Sequence, residues 1–303
     1  MSPRSLAHSS SPLLPGANLV ALQRIVASDR GGRGASLLCS PSLWERALAL
    51  CSDADDVAIV TGFFIPSAGA PETDGPLGAV ILGRALELLG KRVFLVTDER
   101  NFPALLACSK SVDGPSALCL AEPDFSSVAN TDLLVFLERP GKAKDGRHYN
   151  MRGEDISSDI VPLDDLAFVA LGAGIPVLGI GDGGNEAGMG ALYEPLSGLL
   201  PDYAPFLSLV PATVCLPVDV SNWGGYALSA LLSVRSGRWL GLRDGEEERM
   251  LSALREEGAV DGVLGVAGLS VDGFSLGDLT SVASQIRGWY EEQGSFSPES
   301  ASC

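Results

Sequence analysis

The chain has 303 residues, 46% apolar and 19% charged, with 36 Gly, 19 Pro and 6 Cys. At roughly 100–200 residues per domain this fits one large domain or two small ones, and the apolar fraction excludes a disordered chain. A formal net charge of −17 argues against nucleic acid or an anionic membrane surface as a partner, and no apolar run reaches the roughly 18–20 residues of a membrane span.

The six cysteines (39, 51, 108, 119, 215 and 303) form no CxxC pair, and the chain has only two histidines, His8 and His148. A Cys/His zinc site is therefore not expected. The thiols read as reduced and mostly buried, which points to a cytoplasmic protein. Residues 1–16 are rich in Ser and Pro, lack acid and carry Arg4. They read as a disordered tail, with a transit-peptide remnant, and so the mitochondrial matrix, as the alternative.

Apolar runs then alternate with helical stretches. Residues 57–61 form a short β-branched run and predict a buried strand. Residues 78–89 carry apolar side chains at helical spacing and stop at Gly90, which suits a left-handed cap. Residues 93–97 predict a strand, 101–108 a helix, 117–120 a weak strand and 133–137 a strong one. A helix over 163–171, strands over 176–180 and 213–218, and helices over 226–234, 246–257 and 276–289 follow. Apolar strands alternating with helices predict an α/β fold: a doubly wound, mostly parallel sheet of five to seven strands with helices on both faces. One domain spans 17–290, with 240–290 as a helical extension, and the acidic, Ser-rich residues 291–303 read as a second disordered tail.

Ligands of such sheets bind beyond the carboxyl ends of the strands. Those ends carry acids: Asp98-Glu99, Glu138, Asp182 with Asn185 and Glu186, Asp219, and Glu72 and Asp74 in the loop after the first strand. Glu72 and Asp74 lie two apart, so a locally extended chain turns both to one side. Neighbouring carboxylates split into an acid and a base, or hold a hard metal such as Mg²⁺. A plain turn with a helix cap explains the same residues.

Residues 138–152 concentrate Arg139, Lys142, Lys144, Arg147 and Arg152, although the chain has only four lysines. In an acidic protein such a loop reads as a local anion site, with a solvated basic loop as the plainer explanation. The stretch Gly179-Ile-Gly-Asp-Gly-Gly184 matches GxGxxG after a strand, the pattern of a dinucleotide-binding turn. It comes late in the chain, and Gly188 and Gly190 follow too soon for a stable helix. A turn whose bare amides approach a small anion is the better reading. There is no GxSxG elbow and no P-loop.

Several segments, taken together, resemble one family. They are Gly62-Phe-Phe-Ile65, Glu72-Thr-Asp-Gly-Pro76, Glu138-Arg139, Asp145-Gly146, Tyr149-Asn-Met-Arg-Gly153, Asp155-Ile-Ser157, Gly179 through Glu186, Gly188-Met-Gly190, Ser221-Asn-Trp-Gly224 and Val271-Asp-Gly273. In this order they resemble the C-terminal domain of D-glutamate cyclase, from about residue 19 to residue 290. The resemblance implies a carbon–oxygen lyase (hydro-lyase) of D-amino acid metabolism that converts D-glutamate to 5-oxo-D-proline and water. The mitochondrial animal enzyme of that family adds a separate N-terminal hydro-lyase-like domain, for which this chain leaves no room.

That chemistry assigns roles. Arg139 and Arg152 hold substrate carboxylates, with Asn150 beside them. Glu72 and Asp74 form the acid/base pair. The turn at Gly181, Gly183 and Gly184 donates amides to the tetrahedral oxyanion, and Asp182, Asn185 and Glu186 grip the substrate ammonium. No cofactor is expected, apart from a divalent metal (Mg²⁺ or Mn²⁺) as the other use of the carboxylates. The expected partner is a small acidic amino acid, with no nucleic acid and no membrane. A non-catalytic small-anion-binding subunit or sensor that needs a partner domain is the alternative, and a nucleotide-binding enzyme using the glycine turn is a third reading.

Overall fold

The computed structural model describes residue 14 and residues 16–294. In chain order the helices are α1 (Leu19–Val26), α2 (Pro41–Asp53), α3 (Pro76–Leu88), α4 (Phe102–Lys110), α5 (Asp165–Gly172), α6 (Tyr193–Leu199), α7 (Ser221–Ser236), α8 (Glu246–Glu256) and α9 (Leu276–Gly294). The strands are β1 (Asp56–Thr61), β2 (Phe64–Ile65), β3 (Ala70–Pro71), β4 (Arg92–Thr97), β5 (Ser116–Cys119), β6 (Leu133–Leu137), β7 (Val177–Gly181), β8 (Val214–Pro217), β9 (Ser270–Val271) and β10 (Phe274–Ser275).

Six strands form one sheet in the order β5-β4-β1-β6-β7-β8, every neighbouring pair parallel. This is the doubly wound arrangement, and its order reverses between β1 and β6. The strands are apolar throughout because both faces are covered. Val57 and Ile59 join the core under α2, α3 and α7, while Ala58 and Val60 join the one on the opposite face. Leu133, Val135 and Leu137 likewise part from Leu134 and Phe136. The weak strand expected over 117–120 is β5, a partly exposed edge.

Helices α3 and α7 cross at very short range. A Cβ on Gly225 would lie 2.4 Å from the Gly78 carbonyl oxygen, and one on Gly78 would lie 2.7 Å from the Asn222 Cα. Only glycine permits this approach. It lets each helix start cap the other. Asp74 accepts the backbone N–H groups of Ser221 and Asn222, both at 2.9 Å, and Asn222 accepts those of Gly75 and Gly78 at 3.1 and 2.7 Å. Helix α7 therefore begins at Ser221, five residues before the expected start, because its cap comes from far away in the chain.

Three helices escaped the sequence reading: α1, α2 and α6. Helix α3 ends as expected, with Gly90 left-handed at φ +85°. The expected helical extension is two helices, α8 and α9, with the β9–β10 hairpin between them. Helix α9 continues past residue 290 to Gly294, so the start of the expected C-terminal tail is helical. Leu14, assigned to the N-terminal tail, packs against the main core. The remainder of both tails, residues 1–13, 15 and 295–303, lies outside the described residues. Among the described residues, no helix is long and apolar enough to cross a membrane.

Candidate active site

A cavity of about 200 Å³ opens at the carboxyl ends of β6 and β7, next to the point where strand order reverses. Five distant segments supply its charged wall: Arg33, Glu72, Glu138, Asp182 with Glu186, and Asp272. Arg152 and Asn185 also line it.

Glu72 is held by strand-like pairing. Its N–H donates to the Phe63 carbonyl at 2.9 Å, and Pro71 and Thr73 bond on either side to Val260. A Cβ on Gly262 would lie 1.7 Å from a Glu72 carboxyl oxygen, so only glycine there leaves room for the acid. Glu138 follows β6 directly with φ +48°, a conformation that non-glycine residues avoid. Its carboxylate accepts the Ser221 hydroxyl at 2.6 Å, and a Cβ on Gly75 would lie 2.9 Å from the Glu138 Cβ. Departures of this kind gather at functional sites.

Asp272 comes from the β9–β10 turn. Asp272 and Gly273 both have positive φ, at 54° and 81°, with Val271 paired to Phe274. This is the two-residue type I′ hairpin that Asp-Gly favours. Asp261 ties the hairpin to the neighbouring loop by accepting the N–H groups of Gly273, Val263 and Leu264. Arg33 arrives on the loop after α1. Asp219 anchors that loop through the N–H groups of Ser28 and Asp29, and Asp29 accepts the Gly34 N–H at 2.7 Å. The Arg33 guanidinium pairs with Asp182 and, at 3.0 Å, with Asp272.

The electrostatics follow from crowding acids out of water. Burial pushes Glu72 well above the usual carboxylate range, and Asp272 pushes it further. Burial raises Asp272 to about 7, although Arg33 pulls the other way. Asp74 and Glu138 are also driven up, first by burial and then by neighbouring carboxylates, and burial raises Asp182 against the pull of Arg33. Burial opposes the charge on Arg33, yet Asp182 and Asp272 together hold its guanidinium more firmly protonated than usual. Acids so perturbed in a cleft mark a functional site.

The expected site residues divide. Glu72, Asn150, Arg152, Asp182, Asn185 and Glu186 all line the cavity. Asp74 does not; it stands behind the wall as the α7 cap, with oxygen within 4.8 Å of oxygens of Glu138 and Asp182. The expected Glu72–Asp74 pair is thus replaced, on the cavity wall, by Glu72 with Asp272.

Arg139 is a second correction. It is wholly buried, pairs with Asp98 at 2.7 Å, and donates to the carbonyls of Gly62 and Val161. It braces the ends of β1 and β4 and does not line the cavity. The glycine turn is a third. Its amides do bind a carboxylate, but the carboxylate is Glu186: one oxygen accepts the N–H groups of Asp182 and Gly183 at 3.1 and 2.7 Å, the other that of Gly184 at 2.7 Å. Gly183 and Gly184 do not line the cavity; their amides are spent on Glu186, the turn's internal anion, which does.

The basic loop is a fourth. Lys142 pairs with Asp165, Arg147 with Asp155, and His148 Nε2 with Asp164 at 2.9 Å. Arg152 remains at the cavity mouth, where it donates to the Val263 carbonyl at 3.2 Å. Asn150 spends its amide within the loop, accepting from Arg152 and Glu154 and donating to the Glu154 carboxylate. Asn185 donates to the Tyr149 carbonyl at 2.8 Å and keeps its Oδ1 without a partner among the described residues.

Sequence reasoning did not assign Arg33, Asp272 or Gly262. Arg33 gave no signal, since it lies in an irregular Gly-rich loop remote from any strand end. Asp272 had one: Asp-Gly between apolar residues is a hairpin-turn signature.

The D-glutamate cyclase-like C-terminal family model matches residues 22–287. Human mitochondrial D-glutamate cyclase is 32% identical, in an alignment covering 83% of this chain and 48% of the human protein. The chain thus spans about half the length of that relative. Among solved structures, an exopolyphosphatase-related protein from Bacteroides fragilis aligns with TM-score 0.39 and 11% identity, over 87% of this chain and 63% of that one. The match of the family model across nearly all of the described fold shows that this chain belongs to the D-glutamate cyclase-like family, as its C-terminal domain type.

Proposed function

We propose that the protein converts D-glutamate to 5-oxo-D-proline and water, a hydro-lyase reaction. The observation that supports this most is the cavity itself: a chamber of about 200 Å³ whose wall sets the perturbed acids Glu72 and Asp272 beside Arg33, with Arg152 at the mouth. That volume suits a free amino acid, and the groups suit a molecule with two carboxylates and one ammonium.

In the reaction the amine nitrogen attacks the γ-carboxyl carbon. A C–N bond forms, a C–O bond breaks, and the oxygen departs as water. Both hydrogens of that water come from the substrate ammonium, so the site must move protons from nitrogen to oxygen. Glu72 and Asp272 both line the chamber, and Asp272 pushes Glu72 up, so the two resist ionising together. Asp272, whose ionised form Arg33 favours, accepts from the ammonium, and Glu72, which burial keeps protonated, donates to the departing oxygen. Arg33 and Arg152 orient the carboxylates, and enclosure folds the chain back toward the five-membered ring, where positioning supplies much of the rate.

The test is incubation of the full chain with D-glutamate, following loss of primary amine and appearance of 5-oxo-D-proline, with L-glutamate as the stereochemical comparison. Glu72→Gln and Asp272→Asn should each lower kcat by about 10²–10⁴. Turnover within about threefold of the parent, under about 1 kcal/mol, rejects the acid/base roles. Saturable binding of D-glutamate without turnover rejects catalysis by this chain and supports a small-anion-binding subunit instead.

A further inference from the structure

We propose that the side-chain oxygen of Asn185 holds the one substrate N–H that survives ring closure, which makes the site selective for primary amines over N-alkylated ones. The fate of the hydrogens rests on the cyclase reading; the capture of an N–H does not.

Asn185 is 3% exposed and lines the chamber, and its Oδ1 has no partner among the described residues. A buried acceptor left unpaired is costly, so this oxygen calls for a donor on the ligand. The side chain is fixed in orientation. Its Nδ2 donates to the Tyr149 carbonyl at 2.8 Å, which spends the donor end of the amide and leaves the acceptor end for the chamber. The backbone is held as well: the Asn185 carbonyl accepts the Gly141 N–H at 2.9 Å, and Ala187 donates to the Arg139 carbonyl at 2.8 Å. A Cβ on Gly183 would lie 2.7 Å from Oδ1 and 2.5 Å from the Met151 sulfur, so glycine there leaves the oxygen uncrowded.

The neighbouring acids are otherwise engaged. Arg33 pairs with Asp182, the turn amides take both oxygens of Glu186, and Glu138 accepts the Ser221 hydroxyl. The amide also differs from them in kind. A carboxylate competes for the proton of an ammonium, whereas an amide oxygen accepts the hydrogen bond and leaves the proton on nitrogen. Ring closure starts with three hydrogens on that nitrogen: two leave with the departing oxygen as water, and one remains as the lactam N–H. Asn185 holds the one that remains, while Asp272 works on those that leave. An N-methyl group in its place would press on a buried oxygen and leave it unpaired.

Isothermal titration calorimetry on the full chain compares two pairs of ligands: D-glutamate with N-methyl-D-glutamate, and 5-oxo-D-proline with its carbocyclic analogue, in which a methylene replaces the ring N–H. The parent should bind the first of each pair at least tenfold more tightly, because a site built around a donor rejects the ligand that lacks it. Asn185→Leu should shrink both preferences to within about threefold, since no acceptor is then left unpaired. Gly183→Ala, which crowds the oxygen but keeps the bond to Tyr149, should weaken both preferences. Circular dichroism verifies folding, and the parent comparison stands whether or not a variant folds. Equal affinity within either pair, a full preference retained by folded Asn185→Leu, or no saturable binding of any of these ligands at millimolar concentration overturns the assignment. The turnover assay judges the cyclase reading separately. Tenfold preferences without turnover uphold Asn185 and sink that reading, and turnover of D-glutamate without preferences does the reverse.

Discussion

Replacing Gly225 with alanine sets two effects of opposite sign against each other. In an isolated helix the change stabilises by about 1 kcal/mol. Here the new Cβ would lie 2.4 Å from the Gly78 carbonyl oxygen, whereas ordinary contact begins near 3.5 Å. Backbone cannot swing aside as a side chain does, so α3 and α7 must part by about 1 Å, and overpacking of this order costs about 1–3 kcal/mol. The same movement stretches the reciprocal caps of Asp74 and Asn222, where each lost cap costs about 1 kcal/mol. The net expectation is a loss of about 2–4 kcal/mol, or roughly 3–7 °C in Tm for a domain of this size. Urea unfolding followed by circular dichroism measures it. Gly198→Ala in the exposed helix α6, where a Cβ meets nothing within 4 Å, should be neutral or slightly stabilising. If Gly225→Ala matches or exceeds the parent, the close crossing does not carry the stability assigned to it.

Other outcomes follow from buried charges. Glu247, facing Tyr226 and Thr280, is raised by burial from 4.5 to about 7. The folded state therefore holds this proton more tightly than the unfolded one, and its contribution falls as pH rises from about 4.5 to 7. The full swing is about 3 kcal/mol, and Glu247→Gln should flatten that part of the stability profile and be the more stable form at pH 8; a steeper profile in the variant would contradict the argument. Arg139→Met leaves Asp98 buried without its cation and should cost about 3–5 kcal/mol, with Arg139→Lys recovering little because two carbonyls also depend on the guanidinium. Glu186→Ala empties the glycine turn of its carboxylate. Its thermal stability should fall and be raised again by formate but not by chloride; equal effects of both salts would show that the amides are not an anion nest.

How much of this the sequence disclosed depends on the range of the forces involved. The strands were legible because a two-sided sheet demands unbroken apolar runs, as in residues 133–137. The carboxyl ends were legible because the topology makes them a cleft, so Glu72, Asp182 and Glu186 came into view. Tertiary partners were not. Ser221 and Asn222 looked like a loop because the acid that caps them stands at position 74. Arg139 looked like a ligand-binding cation because nothing local announces Asp98 beneath it. The glycine turn was read as a nest for a bound anion, but the carboxylate on its amides is that of Glu186, two residues along. Arg33 was invisible, since its loop is placed by Asp219, far away in the chain.

The hairpin that delivers Asp272 sets when the chamber is first complete. All six strands of the sheet are complete by Pro217, and the acid enters only with the turn after Val271. A nascent chain emerging from the ribosome can therefore finish its sheet while the chamber still lacks a wall. On the proposed role of Asp272, chemistry waits for the final hairpin to dock, and a molecule clipped before Val271 lacks that acid however well its sheet has formed.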